Sequence, residues 1–299
     1  MSWIFYTVTA TILQVFRNLE QKSLNKKLDL LTVCWSRFIL PLPIAIVILI
    51  YTFPSMSNKF ILYCLITGLF QVAGNIFLLQ TIKSKNFSIG VAFYKTEVLQ
   101  ALVIGFLFFN QTISFSGLVA IAITVAGVIL MSGLDFDDGF KGFLKSLRNK
   151  AAFYGLLSGF CFSISAFHIK FASEILLPLG YSNLKAAMTI LMWVICFQNV
   201  FFIGIKLYQK RFKKDLQSLL SSENKSGFVK TTILSFAGSI CWFTAFSLGK
   251  VVYVKAVGQS ELIIAILVSH FILKEKHDLK EMAGILLTAS GLVLLIFLH

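Results

Sequence analysis

The chain has 299 residues, 57% of them hydrophobic and 13% charged, with a mean hydropathy of +0.84. A soluble domain of this length has too little interior to hide that much apolar side chain, so the solvent for most of it is lipid. The formal charge of +14 does not point to nucleic acid: the basic residues sit in short gaps between apolar runs, without a basic stripe or recognition motif, and no nucleic-acid partner is expected.

The chain starts Met1-Ser2-Trp3-Ile4-Phe5, with no basic region before its apolar stretch and no small-residue cleavage site before Arg17, so the first apolar run is expected to remain as a span. About 20 mainly apolar residues cross the hydrocarbon core. Ten such runs follow in order: 3–22, 31–51, 60–82, 87–109, 113–133, 152–172, 186–205, 230–248, 252–273 and 280–298. Two connections are long, 134–151 with Asp135, Asp137 and Asp138 ahead of Lys141, Lys145, Arg148 and Lys150, and the basic, polar stretch 206–229. The five cysteines all fall inside apolar runs and read as small buried hydrophobes. Basic residues crowd the odd-numbered connections, whereas the even-numbered ones hold only Lys59, Lys185 and Lys250. The positive-inside rule then places the odd connections in the cytoplasm and both termini outside.

The chain repeats itself. Ala73-Gly74 matches Ala237-Gly238 and Glu97 matches Glu261, each separated by 164 positions, and the same offset pairs Ala92 with Ala256, Ala101 with Ala265, Thr124 with Thr288 and Gly127 with Gly291. A central Glu is rare in a membrane span, and here both copies fall in register. The expected fold is an all-α integral membrane protein of ten transmembrane helices in two five-helix repeats, residues 1–133 and 152–299, joined by 134–151. An odd number of spans per repeat inverts the second relative to the first.

The ends of the repeats carry a family resemblance. Glu261-Leu262-Ile263-Ile264-Ala265, Leu273-Lys274-Glu275, Gly284 and Gly291 are echoed by Glu97-Val98-Leu99-Gln100-Ala101, Phe109-Asn110-Gln111 and Gly127. In this pattern the chain resembles the EamA-type branch of the drug/metabolite transporter superfamily over nearly its whole length. Val98 and Leu262 stand where many relatives have Pro, Gln111 replaces the usual Glu, and Ala120 stands opposite Gly284. Without Pro, those helices are expected to be less kinked. The resemblance implies export or exchange of amino acids, nucleotide-related compounds, sugars or drugs.

Glu97 and Glu261 are the acidic residues deep in spans; Glu20 lies near the end of the first. A carboxylate at that depth costs at least ~2.5 kcal/mol on insertion scales, so it faces a partner or a wet cavity, or is protonated. It either binds substrate or a coupling proton, or forms a helix–helix hydrogen bond that joins the repeats. Lys95 and Gln259 occupy equivalent positions two residues earlier, about 200° around the helix, so neither meets its own glutamate. Arg17, Arg37, Lys170 and Lys255 lie nearer span ends, where each either snorkels to headgroups or adds to a positive approach. Trp35 and Tyr94 either stack on a ligand or pack.

These eight residues, Arg17, Arg37, Lys95, Glu97, Lys170, Lys255, Gln259 and Glu261, are the candidate substrate-binding set. Basic groups outnumber acidic ones among them, and the fitting substrate carries a negative group together with an amino group. Ala120, Thr124 and Gly127, like Gly284, Thr288 and Gly291, line one helix face, the small-residue pattern of close packing against a neighbour or a second molecule in a homodimer. No phosphate loop, HExxH pair or nucleophile elbow is present, and no enzyme activity, metal or cofactor is expected. The expected function is secondary transport of a small polar metabolite across a bacterial inner membrane, with protons a candidate coupling ion. A lipid-precursor flippase and a non-transporting scaffold are the alternatives.

Overall fold

The computed structural model describes residues 2–83, 93–109, 111–131, 150–271 and 279–297. The start of the fourth expected span, nearly all of the 134–151 connection and the Leu273-Lys274-Glu275 segment lie outside these residues. All regular structure among the described residues is helical: α1 Ser2–Leu24, α2 Leu30–Ile39, α3 Leu42–Thr52, α4 Asn58–Lys83, α5 Glu97–Phe109, α6 Phe115–Met131, α7 Lys150–Leu176, α8 Asn183–Tyr208, α9 Phe212–Leu220, α10 Ser222–Leu248, α11 Val251–Gly258, α12 Ser260–Phe271 and α13 Leu279–Phe297.

Two differences from the sequence expectation have local causes. The second expected span is broken into α2 and α3, bent by 50°. Pro41 and Pro43 remove backbone donors at the junction, and Pro tolerates only the first helical turn, so α3 restarts on Pro41. The stretch 206–229, expected as a polar connection, is largely helical. Lys206 is fully buried inside α8, Phe212, Leu216 and Leu219 give α9 a one-sided apolar face, and α10 begins at Ser222.

The chain folds as two compact units that do not coincide with the sequence repeats. Unit 1 comprises Met1–Val72 and Ser165–Gly249; unit 2 comprises Ala73–Ile164 and Lys250–His299. Each unit draws on both repeats.

In unit 1, Asp29 caps α2 by accepting from the Leu31 and Thr32 backbone N–H groups at 3.0 and 3.2 Å. α1 packs antiparallel on α10: a Cβ at Gly227 would meet Leu24 at 3.0 Å, Gly238 faces Leu13 and Ala10, and Trp242 donates to Gln14 at 3.1 Å. The α2–α3 pair packs on α8, where Trp35 Nε1 donates to Asn199 Oδ1 at 3.2 Å and the Asn199 amide returns a bond to the Phe38 carbonyl at 2.8 Å. Trp35 and Asn199 are separated by 164 positions, as are Phe38 and Phe202, whose rings stack at 6.0 Å. Equivalent residues touch each other only beside an axis that relates the two repeats.

Unit 2 has the same symmetry. A Cβ at Gly127 would meet the Thr288 backbone at 2.5 Å, and one at Gly291 would meet the Thr124 backbone at 2.6 Å. α6 and α13 therefore cross antiparallel, with equivalent residues exchanging places, as inverted repeats require. The small-residue stripe is buried in this crossing, so its neighbour is its own repeat copy and not a second molecule. Gly74 lets the end of α4 approach α7, and Ser158 donates to its carbonyl at 2.9 Å.

Candidate functional site

Four of the eight candidate residues meet in unit 2. The chain tightens just before each central glutamate. The Thr96 N–H reaches the Phe93 carbonyl at 3.3 Å and the Gln259 N–H reaches the Ala256 carbonyl at 3.0 Å, i→i−3 bonds that end one helical piece and start the next. This break occurs without Pro. It is mild in the second repeat, where Val251–Val268 still forms one continuous span. Glu97 thus opens α5, and Glu261 lies in the first turn of α12.

The charges pair crosswise. Lys95 Nζ lies 2.9 Å from Glu261 Oε2, and Lys255 Nζ lies 2.9 Å from Glu97 Oε2. Each lysine of one repeat thus meets the glutamate of the other. Lys95, Glu97 and Lys255 are each only 7% exposed, so Lys255 does not snorkel to the membrane surface. Burial makes the pairing obligatory, because an unpaired charge in so dry a place costs several kcal/mol.

Aromatic faces complete the walls. Lys95 Nζ lies 5.3 Å from the centre of the Tyr94 ring and Lys255 Nζ 5.9 Å from that of Phe162, within the reach of cation–π attraction. The two rings meet edge to face at 5.9 Å. α7 can come this close because residue 159 is glycine: a Cβ there would meet Tyr94 O at 3.1 Å and Glu97 Cβ at 3.2 Å. One turn later, Ser163 donates to the Glu97 carbonyl at 3.1 Å. Gln259 is 2% exposed, and its Oε1 accepts no hydrogen bond among the described residues; the same holds for Gln100 Oε1. Buried amide oxygens without donors are rare and costly.

The other three candidates belong to unit 1. Arg17 donates to Asn18 at 2.9 Å, the Arg37 guanidinium lies 5.0 Å from the Phe38 ring centre, and Lys170 donates to the Ser247 carbonyl at 2.8 Å. Trp35, a stacking candidate, instead spends its indole N–H on Asn199. Sequence reading singled out neither Phe162, Gly159 nor Ser163. One phenylalanine among 31 carries no mark of its position, and no motif surrounds the other two.

Unit 2 also has a cleft of about 400 Å³ lined by Leu102, Val103, Phe106, Leu107, Ile113 and Leu118, with Gln111 and Thr112 as its polar groups. Lys250 Nζ donates to the carbonyl of Thr112 at its edge, 2.9 Å away.

The model of the EamA-like transporter family matches residues 1–133 and again 149–297. No curated protein matches the chain. A solved structure described only as "Crystal structure of protein" superposes with a TM-score of 0.70 over 100% of this chain and 98% of its own, at 10% sequence identity, a likeness of fold alone. The family's members are transporters and not enzymes, and the apolar helices make the chain a multi-pass membrane protein. With two repeats matched across nearly its entire length, the chain belongs to the EamA-like transporter family.

Proposed function

We propose that this transporter is a secondary carrier of a small zwitterion of the amino-acid class, exported or exchanged across a bacterial inner membrane by alternating rearrangement of its inverted repeats. The observation behind the reading is the crossed pair of buried ion pairs, Lys95–Glu261 and Lys255–Glu97. A zwitterion is the ligand such a site can admit without stranding a charge. As one pair opens, the substrate carboxylate takes the ammonium and the substrate ammonium takes the glutamate, so one ion pair becomes two. A ligand with only one charge would leave the other half of the opened pair uncompensated in a low dielectric. The donor-less oxygens of Gln259 and Gln100 offer further acceptors for an ammonium.

Two lysines and two glutamates sum to zero, so the loaded and empty sites carry equal charge and the cycle moves none with the zwitterion. Exchange therefore runs on concentration gradients, and a proton on Glu97 or Glu261, by releasing its lysine, is the coupling route available to this site. The test is counterflow in proteoliposomes with a panel of zwitterions, monocarboxylates and quaternary ammonium cations. Zwitterion counterflow that disappears in Lys95→Met and Lys255→Met is the expected result. Efficient flux of a quaternary ammonium cation, or normal exchange in both variants, would overturn the proposal.

A further inference from the structure

A second concentration of charge lies at one end of unit 1. Fully buried Lys206 donates to Asp215 and to the Thr32 hydroxyl, both at 2.7 Å, and lies 3.5 Å from Asp29. Arg211 reaches Asp29 at 3.2 Å and Asp215 at 3.3 Å. Two cations and two carboxylates thus neutralise each other and fasten α9 across the start of α2 and the end of α8. Phe212 meets the Trp35 ring at 5.5 Å, and Leu219 is buried beneath the helix.

Fixing α9 this way turns its other face outward. Lys213 and Lys214 are exposed there, as is Lys210 in the preceding turn and Lys225 at the start of α10. The end of α1, held against α10 by the Leu24–Gly227 contact, adds exposed Lys22, Lys26 and Lys27. Glu223 is the exposed carboxylate among them, since Glu20 sits 3.7 Å from Lys230. Beside these cations Leu207 is 59%, Tyr208 91% and Leu220 54% exposed. Such side chains belong at the hydrocarbon–headgroup boundary.

A partner for this surface must be anionic on one side and apolar on the other. A soluble phosphate or a nucleic acid would satisfy the lysines and leave Leu207, Tyr208 and Leu220 in water. We infer that the outer face of α9 docks anionic phospholipids, whose phosphates lie against Lys210, Lys213 and Lys214 and whose acyl chains begin at Leu207, Tyr208 and Leu220. The charge count assigns this end to the cytoplasmic leaflet, where anionic lipid attracts each surface lysine by roughly fivefold in association.

The test uses the whole protein in phosphatidylcholine vesicles with trace spin-labelled phosphatidylglycerol or spin-labelled phosphatidylcholine, and reads the relative association of the two labels by electron spin resonance. The parent should prefer phosphatidylglycerol on the order of tenfold at low salt, and the preference should collapse near 0.5 M salt. Lys210→Gln/Lys213→Gln/Lys214→Gln should lose most of it, Lys214→Gln alone should lose part, and Lys185→Gln/Lys250→Gln should keep it. Equal association of both labels with the parent, or an undiminished preference in the triple variant, overturns the inference. So does a preference that inorganic pyrophosphate removes at constant ionic strength, which would mark a site for soluble anions.

Discussion

Replacing Glu97 by Gln takes the carboxylate from the Lys255 ammonium, and replacing Lys255 by Met takes the ammonium from the Glu97 carboxylate. The two groups lie 2.9 Å apart with side chains 10% and 9% exposed. Their Coulomb attraction is about 6 kcal/mol at an effective dielectric of 20, much of it offset by desolvation. Breaking such a pair from one side costs about 3–5 kcal/mol, whereas replacing both partners with neutral groups of similar size is close to neutral. Each single variant should therefore melt on the order of 10 °C below the parent. Glu97→Gln/Lys255→Met should recover most of that loss. Thermal unfolding in detergent, followed by fluorescence, reads the stability cycle, and counterflow in proteoliposomes reads activity. A substrate-binding pair predicts that the double variant regains stability but not transport. Transport regained with stability would make the pair a packing device. Additive losses in the double variant would mean that the two side chains do not pair, which refutes the geometry on which the reasoning stands.

The α6–α13 crossing predicts that Gly291→Ala, which sets a methyl against the Thr124 backbone, lowers the apparent melting temperature by several degrees, while Gly204→Ala, with nothing within 4 Å, leaves it unchanged or higher. Asp29 predicts an acid limit. Burial works to raise its pKa, but the hydrogen bonds of Thr32 and the charges of Lys206 and Arg211 outweigh it and hold the carboxyl below the usual aspartate range. A depressed carboxylate stabilises fully above its unfolded pKa and loses that contribution as pH falls through the folded value. Hydrogen-exchange protection of α9 should thus hold from pH 7 to 5 and fall only below about pH 4, with Asp29→Asn showing the loss already at neutral pH. Lys210 has φ 55°, and its N–H and that of Arg211 close the end of α8 on the Leu207 and Lys206 carbonyls. Glycine takes that left-handed position without a Cβ penalty, so Lys210→Gly should raise the melting temperature slightly, by up to about 1 kcal/mol of stability.

Much of the architecture was legible because it rests on patterns local to the chain. Apolar runs marked the spans, and Glu97 and Glu261 in register exposed the duplication that Trp35–Asn199 and the α6–α13 crossing express in space. The break at Pro41 and the apolar stripe of α9 were equally local; they were missed because span length and polarity outweighed Pro geometry and helical period. The crossed ion pairs were of another kind. The repeat equivalent of Lys255 is Val91 and that of Lys95 is Gln259, so the offset that revealed the glutamates conceals their partners. Which lysine meets which glutamate is decided by how distant helices pack, and Gly159, which lets α7 approach Tyr94 and Glu97, is one such contact.

The central claim is that the substrate opens an ion pair and takes both of its halves as its own partners, and competition against counterflow of a labelled zwitterion tests it most directly. The competitors are the same molecule lacking its amino group and the same molecule lacking its carboxylate, each measured on the parent, Glu261→Gln and Lys95→Met. The parent should be inhibited by the intact zwitterion far better than by either fragment. Glu261→Gln, which takes the carboxylate from Lys95, should bind the carboxylate fragment more tightly than the parent does, and Lys95→Met, which takes the ammonium from Glu261, should bind the amine fragment more tightly. An unchanged order of inhibition in both variants would contradict the account, because the Lys95–Glu261 pair would then hold the helices together without ever opening to substrate.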